Sequence, residues 1–114
     1  MSTLYHYTSA NGILGILSNG VIWSSGGNTQ DAAFGKGVYL TALPPTTQDW
    51  VLVVNNWDSA PQFYLNKVGN LEYCIEFRKS DLPYARKTDS SRDIWLVPHH
   101  IDLRRLPFRV WNRR

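Results

Sequence analysis

The sequence predicts an α+β domain made of two small sheets with few helices. Three observations support this fold class. One segment near the N-terminus combines a helical apolar pattern with helix-capping residues, and most other apolar runs are short and rich in β-branched or aromatic residues. The length of 114 residues suits a single domain over positions 1–114.

The N-terminal segment predicts a strand followed by a helix. Leu4 to Thr8 (LYHYT) is strand-like, and Ser9 is placed to cap the helix that follows. Gly20 stands where a helix C-cap glycine belongs. The predicted apolar face of this helix consists of Ile13, Leu14, Ile16 and Leu17.

The next segments predict short strands around a loop. Val21 to Trp23 is a second strand, and the Gly/Ser/Asn-rich stretch from Ser24 to Gly35 is a surface loop. Gly37 to Thr41 is a third strand, which ends before Pro44-Pro45. Thr46 to Trp57 is ambiguous, and we expect a helix or a partly helical loop. The helical spacing comes from Trp50, Val53, Val54 and Trp57, although the valines favour a strand.

The second half of the chain predicts further strands. Leu71 to Phe77 (LEYCIEF) alternates apolar residues with Glu72, Cys74 and Glu76, which indicates a strand with one solvent-facing side. Ile94 to Val97 is another strand, and a last strand is expected within Ile101 to Trp111.

Composition excludes several classes of protein. Aromatic residues make up 13% of the chain and include five tryptophans, which excludes a disordered polypeptide. One cysteine excludes an internal disulfide framework. No apolar run approaches the roughly 20 residues of a membrane-spanning helix, and the N-terminus lacks the basic start and apolar core of a secretory signal. We therefore expect no membrane association and no signal peptide.

Positive charge is concentrated in the second half of the chain. Residues 1–57 carry one lysine and two aspartates, whereas residues 58–114 carry eleven basic and seven acidic side chains. Such a basic end either attracts phosphate and acidic surfaces or forms a solvated tail. Its arginines are Arg104, Arg105, Arg109, Arg113 and Arg114.

Three local clusters could carry chemistry. His6 lies in the first strand, paired glycines at 35 and 37 precede Tyr39, and Asp93 opens an apolar strand. Each has an ordinary structural explanation when taken alone: a hydrogen-bonded strand histidine, a bulge at a strand entry and a turn carboxylate. The glycine cluster lacks the third glycine and the following helix of a dinucleotide-binding fingerprint.

Metal and thiol chemistry have weaker support. His99 and His100 are adjacent, so on a strand they point to opposite faces, and no further ligands stand at suitable spacing. We therefore expect no metal site. Cys74 is expected to be buried or half-buried in a strand, although a Cys74 nucleophile with a histidine base stays open.

In this order the clusters resemble the ADP-ribosyltransferase superfamily, which includes poly-ADP-ribose polymerases and diphtheria-type toxins. The resemblance rests on HYTS (6–9) and GILGILSNG (12–20), on GKGVY (35–39), and on DIWLV (93–97). It is greatest to the small His-Tyr-Asp toxin-type branch and covers about residues 4–103. Tyr7 and Asp93 stand where the polymerases have glycine and glutamate, and the His-Tyr-Asp branch shares both changes.

The resemblance implies a split β-sandwich fold with one main N-terminal helix, and NAD as the substrate. The resemblance implies that Asp93 stabilises the nicotinamide ribose, that His6 holds the adenosine ribose, and that Tyr39 stacks on the nicotinamide ring. The Tyr7 backbone would fix the carboxamide with support from Ser9. The implied catalytic residues are Asp93, His6 and Tyr39, and the implied NAD-binding residues are His6, Tyr7, Thr8, Ser9, Gly37 and Tyr39.

Two assignments within this site stay open. Glu72, Glu76 and Asp102 are rivals of Asp93 for the role of the carboxylate. An aromatic residue from positions 46–64 is expected to cover the second face of the nicotinamide ring, and the candidates are Trp50, Trp57, Phe63 and Tyr64.

The resemblance also limits the possible partners. The acceptor of ADP-ribose is a macromolecule, either protein or nucleic acid, or it is water, in which case the protein is an NAD glycohydrolase. RNA-directed chemistry and a non-catalytic nucleotide- or nucleic-acid-binding module on the same fold are the alternatives. A toxin domain delivered into a target cell, or a cytoplasmic enzyme, is expected, with a cognate immunity protein if it is a toxin.

Overall fold

The computed structural model describes residues 2–24, 35–57 and 67–114. These residues form two α-helices and eight β-strands, together with short 3-10 turns at Val68–Leu71 and Lys79–Asp81. In chain order the helices and strands are β1 (Thr3–Thr8), α1 (Ala10–Asn19), β2 (Val21–Ile22), β3 (Val38–Leu40), α2 (Asp49–Trp57), β4 (Tyr73–Arg78), β5 (Arg86–Lys87), β6 (Trp95–Val97), β7 (Ile101–Asp102) and β8 (Arg109–Asn112).

The strands of the described residues form small antiparallel sheets. One has the order β1-β4-β8 and another the order β3-β6-β5, while β2 and β7 form a separate pair. An isolated bridge between Tyr5 and Thr41 joins β1 to the end of β3. The predicted α+β class is confirmed, and the β2–β7 pair adds a third small sheet to the two that were expected.

The caps of α1 are those that the sequence predicts. The Ser9 hydroxyl accepts the Gly12 N–H at 3.0 Å, and Gly20 adopts a left-handed conformation with φ of 70°. The predicted apolar face is wider than the face that is buried. Ile13 is buried, but Leu14 and Leu17 are 64% and 46% exposed, since a narrow stripe of the helix packs on the core.

Residues 49–57 form a helix, as the apolar spacing predicts, but the buried face differs from the predicted one. Leu52, Val53 and Asn55 are buried, whereas Trp50 and Val54 are 61% and 40% exposed. The helix packs on a second apolar cluster, around Tyr5 and Tyr7 of β1 and Cys74 of β4, and this contact sets its rotation.

Strand β4 is central and buried on both faces, which corrects the expectation of one solvent-facing side. Ile75 and Phe77 belong to the main core, and Cys74, fully buried as expected for a strand cysteine, belongs to the second cluster. The strand begins at Tyr73, so Glu72 precedes it.

The remaining strands agree with the sequence predictions except in two places. Residues 101–112 hold two strands, β7 and β8, where one was predicted. The two-residue strand Arg86–Lys87 was not predicted, because exposed basic residues at a sheet edge give no apolar signal.

In the described parts of the chain, neither helix has the length and apolar character needed to cross a membrane. The predicted loop at 24–35 falls largely on residues 25–34, which lie outside the described residues.

Gly37 is expected to tolerate no side chain. It has φ of 156°, and a Cβ there would collide with the carbonyl oxygen of Val97 on β6. Gly37→Ala should lower the free energy of unfolding by about 2–4 kcal/mol, from backbone strain together with the displaced strand. Denaturant unfolding measures this loss.

Gly15→Ala is the matched control for that substitution. Gly15 lies in α1, and nothing is within 4 Å of the Cβ that alanine would add. This change should raise stability by up to about 1 kcal/mol through helix propensity. Equal stability of the Gly37→Ala variant and the parent would contradict the close approach of β3 and β6.

Candidate functional site

The candidate site lies where β1 and β3 separate. The Tyr5 N–H donates to the Thr41 carbonyl at 2.8 Å, and the Thr41 N–H donates to the Tyr5 carbonyl at 2.9 Å. In an antiparallel ladder, the next pair of residues exchanging hydrogen bonds would be Tyr7 and Tyr39. Among the described residues no further β1–β3 pair follows the Tyr5–Thr41 bridge, so the two strands part there.

The His6 side chain takes the hydrogen bond to β3 that the Tyr7 N–H would make if the ladder continued. Its Nδ1 lies 3.0 Å from the Tyr39 carbonyl oxygen, which is the acceptor that a continuing ladder would offer to the Tyr7 N–H. The imidazole therefore contacts β3 at the point where the backbone ladder ends. His6, which the sequence predicts as a site residue, therefore lies at the point where β1 and β3 separate.

The backbone of Tyr7 faces the opening between the strands. Hydrogen-bonding groups alternate along an antiparallel strand, so the Tyr7 N–H and C=O point to the same side as those of Tyr5, away from β4. The Tyr7 side chain is anchored elsewhere, because its hydroxyl donates to the Leu43 carbonyl at 2.7 Å and its ring is buried. Burial raises the pKa of that hydroxyl, so it stays protonated.

His6 is neutral at physiological pH. Burial lowers the pKa of its imidazole below 6.5, and the hydrogen bond to the Tyr39 carbonyl opposes this shift with a smaller effect. Because a carbonyl is an acceptor, Nδ1 carries the proton, which leaves the lone pair of Nε2 as an acceptor.

Asp93 is held at the other end of β3. Its Oδ1 accepts the Ala42 N–H at 2.9 Å and the Thr41 hydroxyl at 3.3 Å. Both donors are neutral, and the salt bridges found within the described residues do not include Asp93. The carboxylate is therefore oriented through one oxygen, and no ion-pair partner for it is found among residues 2–24, 35–57 and 67–114.

Asn55 of α2 fixes the backbone of Asp93 from the opposite side. Its Oδ1 accepts the Asp93 N–H at 2.7 Å, and its Nδ2 donates to the Asp93 carbonyl at 2.8 Å. Nδ2 also lies 3.3 Å from the Thr41 hydroxyl oxygen, and Arg92 Nη1 donates to the Asn55 carbonyl at 2.8 Å. The sequence analysis missed Asn55. An asparagine inside the apolar run VLVV-NNW is the signal that could have indicated it.

Strand β3 thus brings three of the predicted site residues together. His6 contacts Tyr39, and Asp93 contacts Thr41, two positions further along the chain. The Tyr39 hydroxyl donates to the Gly35 carbonyl at 2.7 Å, and Gly37 lies against Val97 of β6.

Thr8 and Ser9 lie at the turn from β1 into α1. The Ser9 hydroxyl is used by the helix cap, and the Thr8 side chain occupies the space beside Gly12 that a Cβ would need. Within the described residues, neither side chain is hydrogen-bonded to His6, Tyr39 or Asp93.

The rival carboxylates have other surroundings. Asp102 is paired with Arg104 and Arg105, and its hydrogen bonds from Arg104 lower its pKa to about 2. Glu76 accepts the indole N–H of Trp111 at 2.9 Å. Glu72 is half-buried, and its carbonyl accepts the Arg113 N–H.

The Cys74 thiol is unsuited to nucleophilic attack. It is fully buried, and burial raises its pKa to about 12. The thiolate, which is the reactive form, is therefore scarce at neutral pH.

No group of three or more His, Cys, Asp or Glu side chains is placed to hold a metal ion in the described part of the chain. His99 and His100 are exposed, and each makes a ring contact with another aromatic residue. His99 contacts Tyr84 at 5.8 Å between ring centroids, and His100 contacts Trp23 at 5.6 Å.

The arginine-rich end is not uniformly a solvated tail. Arg104, Arg105, Arg109 and Arg114 are exposed, but the Arg113 side chain is 9% exposed and hydrogen-bonds to the interior. The sequence does not distinguish these arginines, because the acceptors that surround Arg113 lie far from it in the chain.

Two of the four aromatic candidates are described. Trp50 is exposed, and its indole N–H donates to the Gln48 side chain, whereas Trp57 is half-buried with Lys67 Nζ 5.6 Å from its ring centroid. Phe63 and Tyr64 lie outside the described residues.

The depressed pKa of His6 predicts a pH-dependent stability. Between the folded pKa and the unfolded value of 6.5, the unfolded chain binds a proton that the folded chain does not, so stability falls as pH drops below 6.5. We expect His6→Asn, which retains an N–H donor but does not titrate there, to lose less stability between pH 7.5 and 5.0. Urea unfolding at each pH measures the difference, and equal losses in both proteins would contradict the assignment.

Comparison with known proteins identifies the family. Residues 4–105 match the model of Tox-ART-HYD1, described as a HYD1 signature containing ADP-ribosyltransferase. A search of curated proteins and a search of solved structures each gave no match. Because the family match spans 102 of the 114 residues, the chain belongs to the HYD1-type ADP-ribosyltransferase toxin family.

Proposed function

We propose that this protein cleaves the nicotinamide–ribose bond of NAD and transfers ADP-ribose to a macromolecular acceptor. The family assignment supports ADP-ribosyl transfer in general. The single observation that carries the proposal is the separation of β1 and β3, which puts the Tyr7 backbone, His6 and Tyr39 around one opening, with Asp93 at the far end of β3.

The nicotinamide carboxamide is proposed to bind where the ladder stops. A carboxamide offers one carbonyl acceptor and one N–H donor, and the Tyr7 N–H and C=O form the complementary pair. The nicotinamide would thereby take the place of a strand neighbour at the end of β1. Tyr39, at the start of the separated strand, is proposed to stack on the ring. Gly37, which lies against Val97 of β6, is proposed to line the site through its backbone.

Asp93 is proposed to stabilise the transition state. As the C1′–N bond breaks, its electron pair passes to the pyridinium nitrogen, nicotinamide leaves as a neutral molecule, and positive charge develops on the ribose. The Asp93 carboxylate, whose hydrogen bonds within the described residues come from neutral donors, stabilises that charge and can accept a hydrogen bond from the ribose 2′-hydroxyl. The acceptor then forms a bond to C1′ and releases a proton.

His6 is proposed to hold the adenosine ribose. Its Nδ1–H is used by the Tyr39 carbonyl, which leaves Nε2 to accept a hydrogen bond from a ribose hydroxyl. The neutral imidazole suits this role, because protonation would convert that acceptor into a donor. Thr8 and Ser9, at the end of the same strand, are proposed to line the dinucleotide site, with Ser9 supporting the carboxamide.

The acceptor is proposed to be a macromolecule, as expected for a toxin domain that acts inside a target cell. Transfer to water would be the same chemistry with a different nucleophile, and the protein would then be an NAD glycohydrolase. A cognate immunity protein is the expected partner of a toxin of this kind.

The test follows free nicotinamide when the purified chain is incubated with NAD. The parent is expected to release nicotinamide, and Asp93→Ala should reduce kcat by about 10²–10³-fold because a preorganised charge is lost. His6→Ala should mainly raise KM, since its proposed contact forms equally in the ground and transition states. Asp89→Ala, which removes an exposed carboxylate from the same loop, is the matched control and should leave kcat unchanged.

The outcomes separate the alternatives. Nicotinamide release by the parent but not by Asp93→Ala supports the proposal, and full activity in both the Asp93 and His6 variants would overturn the site. NAD binding without release, even with a target-cell lysate added, would favour a non-catalytic binding module. If release is seen, labelled ADP-ribose on protein or nucleic acid from the lysate indicates a transferase. Free ADP-ribose alone indicates a glycohydrolase.

A further inference from the structure

We infer that Arg113 is a positioning residue for Asp93, acting through α2 and Asn55. The inference rests on the proposed function, because it assigns a consequence to the orientation of Asp93. Arg113 directly follows β8 and contacts the first turn of α2, whereas Asp93 contacts Asn55 near the end of that helix. In the described chain Arg113 is not hydrogen-bonded to any of the proposed site residues, and its guanidinium carbon lies 5.8 Å from the centroid of the Tyr7 ring.

The Arg113 guanidinium is bound from several directions. Its Nε donates to the Pro45 carbonyl at 2.9 Å, its Nη2 to the Thr47 carbonyl at 2.7 Å and its Nη1 to the Leu71 carbonyl at 2.8 Å. Nη1 also lies 2.8 Å from the Asp49 carboxylate. A buried cation with this many acceptors is held in one geometry, and a lysine ammonium cannot reproduce the planar fork.

These contacts fix the segment that connects β3 to α2. Pro45 and Thr47 lie in the connection, and Asp49 is in the first turn of the helix, where a carboxylate also interacts favourably with the helix dipole. The backbone of Arg113 is itself anchored, because its N–H donates to the Glu72 carbonyl at 2.9 Å. Arg113, anchored beside the β1-β4-β8 sheet, thus holds the start of α2.

The helix transmits that position to Asp93. Asn55 lies six residues after Asp49 on α2, and it binds both the N–H and the C=O of Asp93. The donors to the carboxylate, Thr41 and Ala42, lie at the start of the same connection, before the Pro45 and Thr47 carbonyls that Arg113 binds. Arg113 is thereby inferred to position both groups that orient Asp93. One is the pair of donors at Thr41 and Ala42, and the other is Asn55 on α2.

The expected consequence is a loss of kcat without a matching loss of NAD binding. A displacement of about 1 Å at a reacting group can reduce the rate by about 10²-fold. Arg113→Met should lower kcat for nicotinamide release by about 10–10²-fold, with KM for NAD changed less than about threefold. Arg113→Lys, which retains the charge but not the fork, should recover part of the loss.

A double-mutant cycle with Asn55 separates positioning from simple stabilisation. Asn55→Ala should lower kcat on its own. Adding Arg113→Met should then change kcat by less than about threefold, because α2 no longer contacts Asp93 through the Asn55 side chain. Independent, multiplied losses would overturn the inference. All rates are measured at least 15 °C below the Tm of each variant, so that every protein is folded.

Arg109→Met is the matched control on the same strand. Arg109 is exposed, its guanidinium lies 4.2 Å from the Trp111 ring centroid, and none of the hydrogen bonds or ion pairs found among the described residues joins it to α2. It should leave kcat unchanged. An equal loss of kcat in Arg109→Met and Arg113→Met would indicate a general effect of charge and would contradict the inference.

Amide hydrogen exchange tests the connection without any assay of activity. Arg113→Met, or Arg113→Lys if the former does not fold, should speed exchange of the Ala42 and Asp93 N–H groups by at least about tenfold, because both bonds depend on the position of α2. The β1 and β4 amides should stay protected. Unchanged exchange at Ala42 and Asp93 would overturn the inference, whereas a parent protein that exchanges as expected but releases no nicotinamide would contradict the proposed function alone.

Discussion

The candidate site depends on one missing pair of backbone hydrogen bonds. Strand β1 pairs with β3 at Tyr5 and Thr41, and the carbonyl of Tyr39 then accepts from the His6 imidazole in place of the Tyr7 N–H. A continued ladder would close the gap and use the polar groups that a planar amide ligand needs. The His6 side chain gives the Tyr39 carbonyl a hydrogen-bond partner, while among the described residues no hydrogen bond is found to the Tyr7 N–H or C=O.

The rest of the fold keeps the two separated strands in place. Strand β4 holds β1 through a six-residue register, and β6 holds β3 while leading back to Asp93. Since the site spans both sheets, its geometry needs a support that contacts each of them. Helix α2 provides it, because it packs on the cluster around Tyr5 and Tyr7 and also binds Asp93 through Asn55.

Local patterns predicted what depends on neighbours in the chain. The Ser9 and Gly20 caps, the β1 strand and the helix at 49–57 follow from residues a few positions apart. The rotation of α2 and the contacts of Asn55 could not be predicted in this way, because Asn55 binds Asp93, which lies 38 positions further along the chain. Arg113 is the clearest case, since its acceptors at Thr47 and Pro45 lie 66 and 68 positions away and nothing in RVWNRR separates it from its exposed neighbours.

In the described residues the donors to the Asp93 carboxylate are neutral, and the salt bridges found there do not include it. On the proposed mechanism, a guanidinium paired with this carboxylate would cancel the negative charge that a cationic ribose requires, whereas the Ala42 N–H and the Thr41 hydroxyl orient it and leave its charge intact. Arg92 is adjacent in sequence, yet its Nη1 donates to the Asn55 carbonyl. Arg113 forms its ion pair with Asp49 in the first turn of α2, and we infer that its influence on Asp93 passes through that helix. On the proposed mechanism, neutral donors beside Asp93 orient the carboxylate without neutralising it, which is what stabilisation of a positively charged transition state would require.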